Sequence, residues 1–294
     1  MRKYIIGKLL YKLGYNLERI RAIKKDDLKT YQDLYSEDSL FNRRFYNIGA
    51  GQFLHPYWTI IDKRNNCYKD NPPPDIEFDL LSGERLPIED NSTELIYCSH
   101  VLEHLDNKAA QNILNESYRI LKEEGIIRII VPDIELGLNA WLKNDNSFFE
   151  FERHLNSKRG LKKVPSRIKI KDASITQKFL YYFASSISEI HGDGEEERIS
   201  DIKFIQLISE IDEKELYKFL DYCINRCSLE KQRIYPINHI NWFDETKLRQ
   251  MLEKSGFSHI YRSGYLQSKE PILRNKYYFD KCFYHISLYM EAVK

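Results

Sequence analysis

Two glycines and a spaced series of acids are the residues of this chain whose types and positions could do chemistry. Gly49 and Gly51 lie in "FYNIGAGQFLHPYWTIID", between one short apolar run and a second that ends at Asp62. Three further β-like runs, "IEFDL", "ELIYCS" and "IIRIIVPD", end near Asp79, Ser99 and Asp133. A glycine turn lets backbone N–H groups approach a ligand without a Cβ in the way. Open parallel sheets bind ligands at the carboxyl ends of their strands, where these residues fall. His100, His104 and His239, with Asp133, supply groups able to take a proton near neutral pH. A dinucleotide site would need a third glycine three residues after the second, and that position is Leu54. It would also place its acid about 20 residues on, and Asp62 comes much sooner. Arg43 and Arg44 precede the first strand and cannot clamp a pyrophosphate behind the turn. What remains is a different nucleoside cofactor, or a bare turn between two strands.

The elements that must hold these residues are legible as short runs of Ile, Val, Tyr and Phe bounded by polar turns, the pattern of a buried parallel sheet. A helix separates the last two of these strands. Asp106 is its expected N-cap, Ala110, Ile113, Leu114, Tyr118 and Leu121 its buried stripe, and Gly125 its C′ residue. Strands alternating with helices give an α/β fold. Residues 137–235 read as a helical insertion that carries the basic stretch Lys158, Arg159, Lys162, Lys163, Arg167 and Lys169 and the acidic turn "HGDGEEER". His191 in that turn is expected to be solvated, whereas Tyr181, Tyr182 and Phe183 are expected in helix core. Residues 236–294 supply a helix capped by Asp244 and stopped at Gly256, then two strands that complete the sheet.

Bulk properties narrow the function classes. The 294 residues carry a formal charge of +1, which argues against a global nucleic-acid partner. The 5 cysteines have no regular spacing, so a disulfide framework is not expected and a cytoplasmic home is. Cys223 and Cys227 lie on the apolar side of an expected helix, with Leu216 and Leu220, and read as core thiols. The histidines and acids lack metal-ligand spacing, so no metal is expected. Residues 1–40 form a basic amphipathic helical segment. Its residues 1–25 suit either an anionic membrane surface, as a peripheral contact on the inner face, or packing across the domain's own sheet. Nothing in the sequence sets an oligomeric state.

The stretch 45–135 resembles class I S-adenosylmethionine-dependent methyltransferases, in the type-11-like small-molecule group. Within that group it is similar to the subgroup associated with bacterial surface-polysaccharide biosynthesis. The resemblance rests on "YNIGAG", "IID", "FDLLSGERLPIEDNSTELIYCSHVLEHL" and "SYRILKEEGIIRIIVPDIE" in that order, extended by "HINWFDETKLRQMLEKSGF" and "SLYMEAVK". It implies a Rossmann-like class I methyltransferase fold: a seven-stranded, mostly parallel sheet with an antiparallel C-terminal strand. Residues 41–136 would form the cofactor-binding core, with the 137–235 insertion recognising substrate. It also implies roles. Asn47, Gly49 and Gly51 would border the cofactor's amino-acid portion, Asp62 would accept from the ribose hydroxyls, and Asp79 would take the adenine amino group. Leu80 would pack near the ring and Ser99 would face the methionine end. Phe53 stands where the family often has a third glycine and is expected to cover the cofactor or pack on the following segment.

Methyl transfer to oxygen needs a base for the acceptor's proton. His104, His239 and Asp133 are the catalytic candidates, each with a bland alternative: a structural histidine, a packing histidine and a helix cap. The expected acceptor is a sugar, a sugar phosphate or another glycan-pathway intermediate. A lipid or small molecule at the membrane surface, or a non-catalytic cofactor-binding role, is the alternative. No proline-aromatic amide-binding motif follows the fourth strand, so no nucleic acid is expected as acceptor.

Overall fold

Apolar side chains alternate between the two faces of each central strand, and that alternation assembles the molecule. The computed structural model describes residues 25–65, 71–151, 166–193, 198–210 and 215–294. Its strands are β1 (Phe45–Ile48), β2 (Trp58–Asp62), β3 (Ile76–Glu77), β4 (Thr93–Ser99), β5 (Leu121–Pro132), β6 (His259–Arg262) and β7 (Ser287–Val293). They form one 7-stranded sheet in the order β3-β2-β1-β4-β5-β7-β6. Strands β1 to β5 run parallel, and β7 is antiparallel to both β5 and β6. The helices are α1 (Lys25–Leu34), α2 (Glu37–Phe41), α3 (Asn107–Ile120), α4 (Ile134–Leu142), α5 (Ile175–Phe183), α6 (Asp201–Ser209), α7 (Leu216–Ile224), α8 (Leu229–Ile234) and α9 (Glu245–Ser255). The fold is the α/β, mostly parallel, Rossmann-like arrangement expected from the sequence, with its antiparallel strand at the C-terminus.

Period-2 alternation sends Ile96, Cys98, Ile127, Ile129, Leu288 and Met290 to the face covered by α3 and α9. Leu95, Tyr97, Ile126, Ile130 and Tyr289 go to the other face. That second face has an unusual cover. The connection from β1 to β2, residues 49–57, contains no helix, although parallel strands are usually joined by a helical crossover. Tyr31 of α1, Leu40 of α2, Phe53, Leu273 and Phe279 close the face instead. Phe53 packs edge-on against Trp58, with ring centroids 5.7 Å apart, and lies 5.7 Å from Phe279. It therefore packs on the following segment, one of the two roles expected of it.

Arg128 of β5 points into this same face and is fully buried. Its guanidinium meets Asp280 at 2.6 Å and Glu291 at 2.6 Å, both also fully buried. The sequence reading took this strand as simply apolar. The paired acids come from segments far along the chain, and a buried guanidinium is tolerated only with such partners.

Two further expectations are corrected. Asp106 does cap α3, accepting from Ala109 N at 2.7 Å, but Gly125 is not its C′ residue. The helix ends at Ile120, the chain turns through Glu124 at φ +63°, and a Cβ on Gly125 would stand 2.8 Å from the Lys122 carbonyl oxygen. The "IEFDL" run pairs only over Ile76–Glu77, because β3 is an edge strand and the Asp79 carboxylate turns the chain by accepting from Leu81 N.

Between β5 and α9 the described residues hold helices and turns around a separate core that includes Phe179, Phe183, Phe204, Phe219 and Cys223. Tyr182 and Phe183 are buried, as expected. Asp244 caps α9 by accepting from Lys247 N, and Gly256 ends it at φ +110°. The basic N-terminal residues 1–24 and the lysines and arginine at 158–163 lie outside the described residues. Among the described residues no helix is long and apolar enough to cross a membrane.

Candidate active site

The first four strand-end residues of the sequence reading gather at the carboxyl edge of the sheet. Gly49 follows β1 at φ +67°, and its N–H donates to Ile61 O at 2.8 Å, tying the turn to β2. A Cβ on Gly49 would stand 2.4 Å from Val101 Cγ2, so this glycine is required by the segment after β4. Gly51, at φ +55°, has no atom of the described residues within 4 Å of where its Cβ would be. The two glycines thus do different work: one admits Val101, the other leaves room. Asn47 is buried within β1.

Asp62 ends β2. Its Oδ2 accepts from Gly51 N at 3.2 Å and its Oδ1 from Lys63 N at 2.8 Å. Each carboxylate oxygen can accept twice, so both retain capacity for a hydroxyl donor. Burial raises the Asp62 pKa above the ordinary carboxylate value, against the pull of those two N–H groups. Asp79 accepts from Leu81 N at 3.0 Å, while its other oxygen meets Lys63 at 2.8 Å and Arg233 of α8. Burial would raise its pKa, but the Lys63 and Arg233 bonds prevail and hold it below the usual value. Leu80 packs partly buried against the core, and Ser99 is half-buried at the end of β4.

The catalytic candidates divide. Asp133 is 2% exposed; its Oδ1 caps α4 by accepting from Glu135 N at 3.0 Å, and its Oδ2 faces Arg262 at 3.4 Å. The structure thus uses it in the way its bland alternative described. His104 and His239 converge, with ring centroids 4.9 Å apart. His104 Nδ1 lies 2.9 Å from Asn238 O, and His239 Nδ1 lies 2.6 Å from Tyr182 O. A carbonyl only accepts, so in each ring Nδ1 is the donor and Nε2 is the nitrogen left outside that bond. Burial, then the neighbouring His104, pushes the His239 pKa down to about 4.

Glu103, which the sequence reading passed over, sits between these rings and His100. It is 1% exposed, and its Oε1 is 3.1 Å from His100 Nδ1. His100 in turn reaches Ser287 Oγ at 3.0 Å and holds a left-handed backbone at φ +53°. The signal available was the run His100-Val-Leu-Glu-His104, which puts three polar groups in one turn after a strand. His191 corrects an expectation: it is fully buried, with Nδ1 2.9 Å from Asp193 O and Nε2 3.1 Å from Asn238 Nδ2. It buttresses the segment that leads into His239. Trp242 and Phe243, which follow His239, are also buried.

Residues 59–129 match the family model described as a methyltransferase domain. With that match added to the strand order and the strand-end acids, the identification is made. The chain is an S-adenosylmethionine-dependent methyltransferase. The pieces present fit that cofactor: spare acceptor capacity on Asp62 and open space at Gly51. Among solved structures the methyltransferase is similar to three S-adenosylmethionine-dependent methyltransferases. That from Archaeoglobus fulgidus is 12% identical, covers 92% of this chain and 93% of its own, and has a TM-score of 0.38. That from Mesorhizobium loti is 11% identical, with 92% and 99% covered and a TM-score of 0.37. That from Thermotoga maritima is 14% identical, with 91% and 87% covered and a TM-score of 0.36. No curated protein matches the methyltransferase significantly.

Proposed function

We propose that the methyltransferase acts on a hydroxyl oxygen of a sugar, a sugar phosphate or another intermediate of glycan biosynthesis. The observation that carries the oxygen assignment is the pair of imidazoles, His104 and His239, whose ring centroids lie 4.9 Å apart beside the segment after β4 and whose Nδ1 atoms are both engaged by carbonyls. A hydroxyl must lose its proton as its oxygen forms a new bond, and an imidazole within reach is the residue type suited to take it. S-adenosylmethionine, when bound, supplies the activated methyl group. The chain's own work is to hold the ribose side on Asp62, to order the turn through Gly51, and to accept the acceptor's proton at Nε2 of His104 or His239. The contact between Arg233 of α8 and Asp79 supports a substrate-recognising role for the 137–235 insertion, since it joins that insertion to the cofactor side of the edge. The glycan class rests on the family resemblance of residues 45–135 alone.

The test is incubation of the purified protein with S-adenosylmethionine and a panel of nucleotide sugars, sugar phosphates and short glycans. Mass spectrometry of products and release of S-adenosylhomocysteine are the readouts. An O-methylated sugar is the expected product. Turnover confined to amines or lipids would overturn the assignment.

A further inference from the structure

We infer that Glu103, His104 and His239 form a binding site for one divalent first-row transition ion of the zinc or cobalt type. One ligand atom from each of the three lies within 4.8 Å of the others, and Glu103 Oε1 is 4.0 Å from His104 Nε2. Rotation about the glutamate's side-chain bonds closes such a set onto an ion about 2.0–2.2 Å from each ligand.

Three observations turn the cluster into a site. First, both imidazoles are held through Nδ1 by backbone carbonyls, Asn238 O and Tyr182 O. This is the outer support that metal-ligating histidines almost always have, because it fixes the tautomer and aims Nε2. Second, Glu103 is 1% exposed, yet among the described residues its Oε2 has no hydrogen-bond partner. A buried carboxylate oxygen left unpaired is costly, and a cation would satisfy it. Third, the supports are themselves fixed. Gln232 Nε2 donates to Asn238 O at 3.0 Å, His239 N donates to Ser185 Oγ at 3.0 Å, and Ile240 N donates to Glu103 O at 2.8 Å.

Two imidazole nitrogens and one carboxylate suit zinc, cobalt, nickel or iron, whereas magnesium and calcium prefer all-oxygen sets. Three protein ligands leave positions open, the mark of a site that acts on a bound group. His104 is 23% exposed on its side chain and gives the way in. The site's part in turnover rests on the oxygen-acceptor reading above. An ion bound here would take the histidine nitrogens in place of the acceptor's proton and would make a coordinated hydroxyl more acidic, and that proton would then pass to solvent on the His104 side. The binding claim stands apart from that reading.

The experiment strips the full-length protein with a chelator and titrates Co2+ by its visible d–d absorption, and Zn2+ by competition with a chromophoric chelator. One equivalent of each is expected. His104→Gln and His239→Gln, checked for native far-UV circular dichroism, should each bind at least about 100-fold more weakly, while the exposed His259→Gln should bind as wild type. Absence of saturable one-equivalent binding by the wild type overturns the inference, as does binding that survives in both H104Q and H239Q. S-adenosylhomocysteine titrated into the stripped protein separates the two readings. Its binding without any metal uptake would leave the methyltransferase reading standing and remove the ion. Metal uptake lost in H104Q and H239Q would support the ion whatever the acceptor proves to be.

Discussion

Gly49→Ala and Gly51→Ala make a paired experiment, because the two glycines share a left-handed backbone and differ in their surroundings. At Gly49 a Cβ would come within 2.4 Å of Val101 Cγ2 and 3.1 Å of Cγ1. A left-handed alanine costs about 1–2 kcal/mol, and forcing a buried side chain aside adds about 1–3 kcal/mol. Gly49→Ala is thus expected to destabilise by roughly 2–5 kcal/mol, a large part of the 5–15 kcal/mol typical of a native protein. At Gly51 no atom of the described residues lies within 4 Å of the added methyl, so only the backbone term of about 1–2 kcal/mol applies. That methyl would instead enter the space assigned to the cofactor and is expected to weaken S-adenosylhomocysteine binding about tenfold or more, at least about 1.4 kcal/mol. Urea midpoints at constant m-value measure the first quantity and calorimetric titration the second. Val101→Ala supplies the decisive control. It removes the clashing methyls, so Gly49→Ala in that background should show a coupling of about 1–3 kcal/mol. Equal destabilisation by the two alanines, or a cycle with no coupling, would refute the division of labour between the glycines.

Other expectations follow from the same geometry. Asp62→Ala removes the carboxylate that holds Gly51 N and is assigned to the ribose; S-adenosylhomocysteine affinity should fall on the order of 10–100-fold with the fold retained, and unchanged affinity in calorimetry would remove that assignment. Arg128→Met leaves Asp280 and Glu291 buried without their partner and should destabilise by about 3–5 kcal/mol, seen as a shifted urea midpoint; a neutral substitution would show that the three charges are not interdependent. Burial lowers the Lys247 pKa from 10.5 to about 8, against the pull of Asp221 and Asp244. The unfolded chain therefore binds more protons than the folded one between those values, and stability gains from this group as pH rises through that window. Comparing urea midpoints of wild type and Lys247→Met at pH 7 and pH 10 should show a relative gain for wild type at the higher pH; the same difference at both would contradict it.

The sequence disclosed the sheet because its signals are local. Alternating Ile, Val and Tyr runs, Asp106 and Asp244 as caps and Gly256 as a stop each act within a few residues. The carboxyl-edge positions of Gly49, Gly51, Asp62, Asp79 and Ser99 followed from those strand ends. What escaped depends on contacts between distant segments. Arg128 drew no notice within an apolar strand, since its partner Asp280 is 152 residues further on. His191 looked solvated because its turn is acidic, yet Asn238 and Asp193 enclose it. His104 and His239 could be weighed only one at a time, since Asn238, next to His239, lies 134 residues beyond His104. Gly125 failed for the opposite reason: a glycine after a helical stretch is a good C′ signal, but the chain had already turned extended at Leu121.

The helix-free crossover between β1 and β2 bears on how this protein is made. Its sheet face is sealed by Phe279 and by the acids that neutralise Arg128, and Glu291 is 163 residues beyond that arginine. At synthesis rates of about 5–20 residues per second, the wait is on the order of ten seconds or more. During it the parallel strands exist in the nascent chain with an open aromatic face and an unmatched guanidinium. This face of the sheet can close only after Phe279 and β7 have been synthesised, so its packing is set by the last segments of the fold.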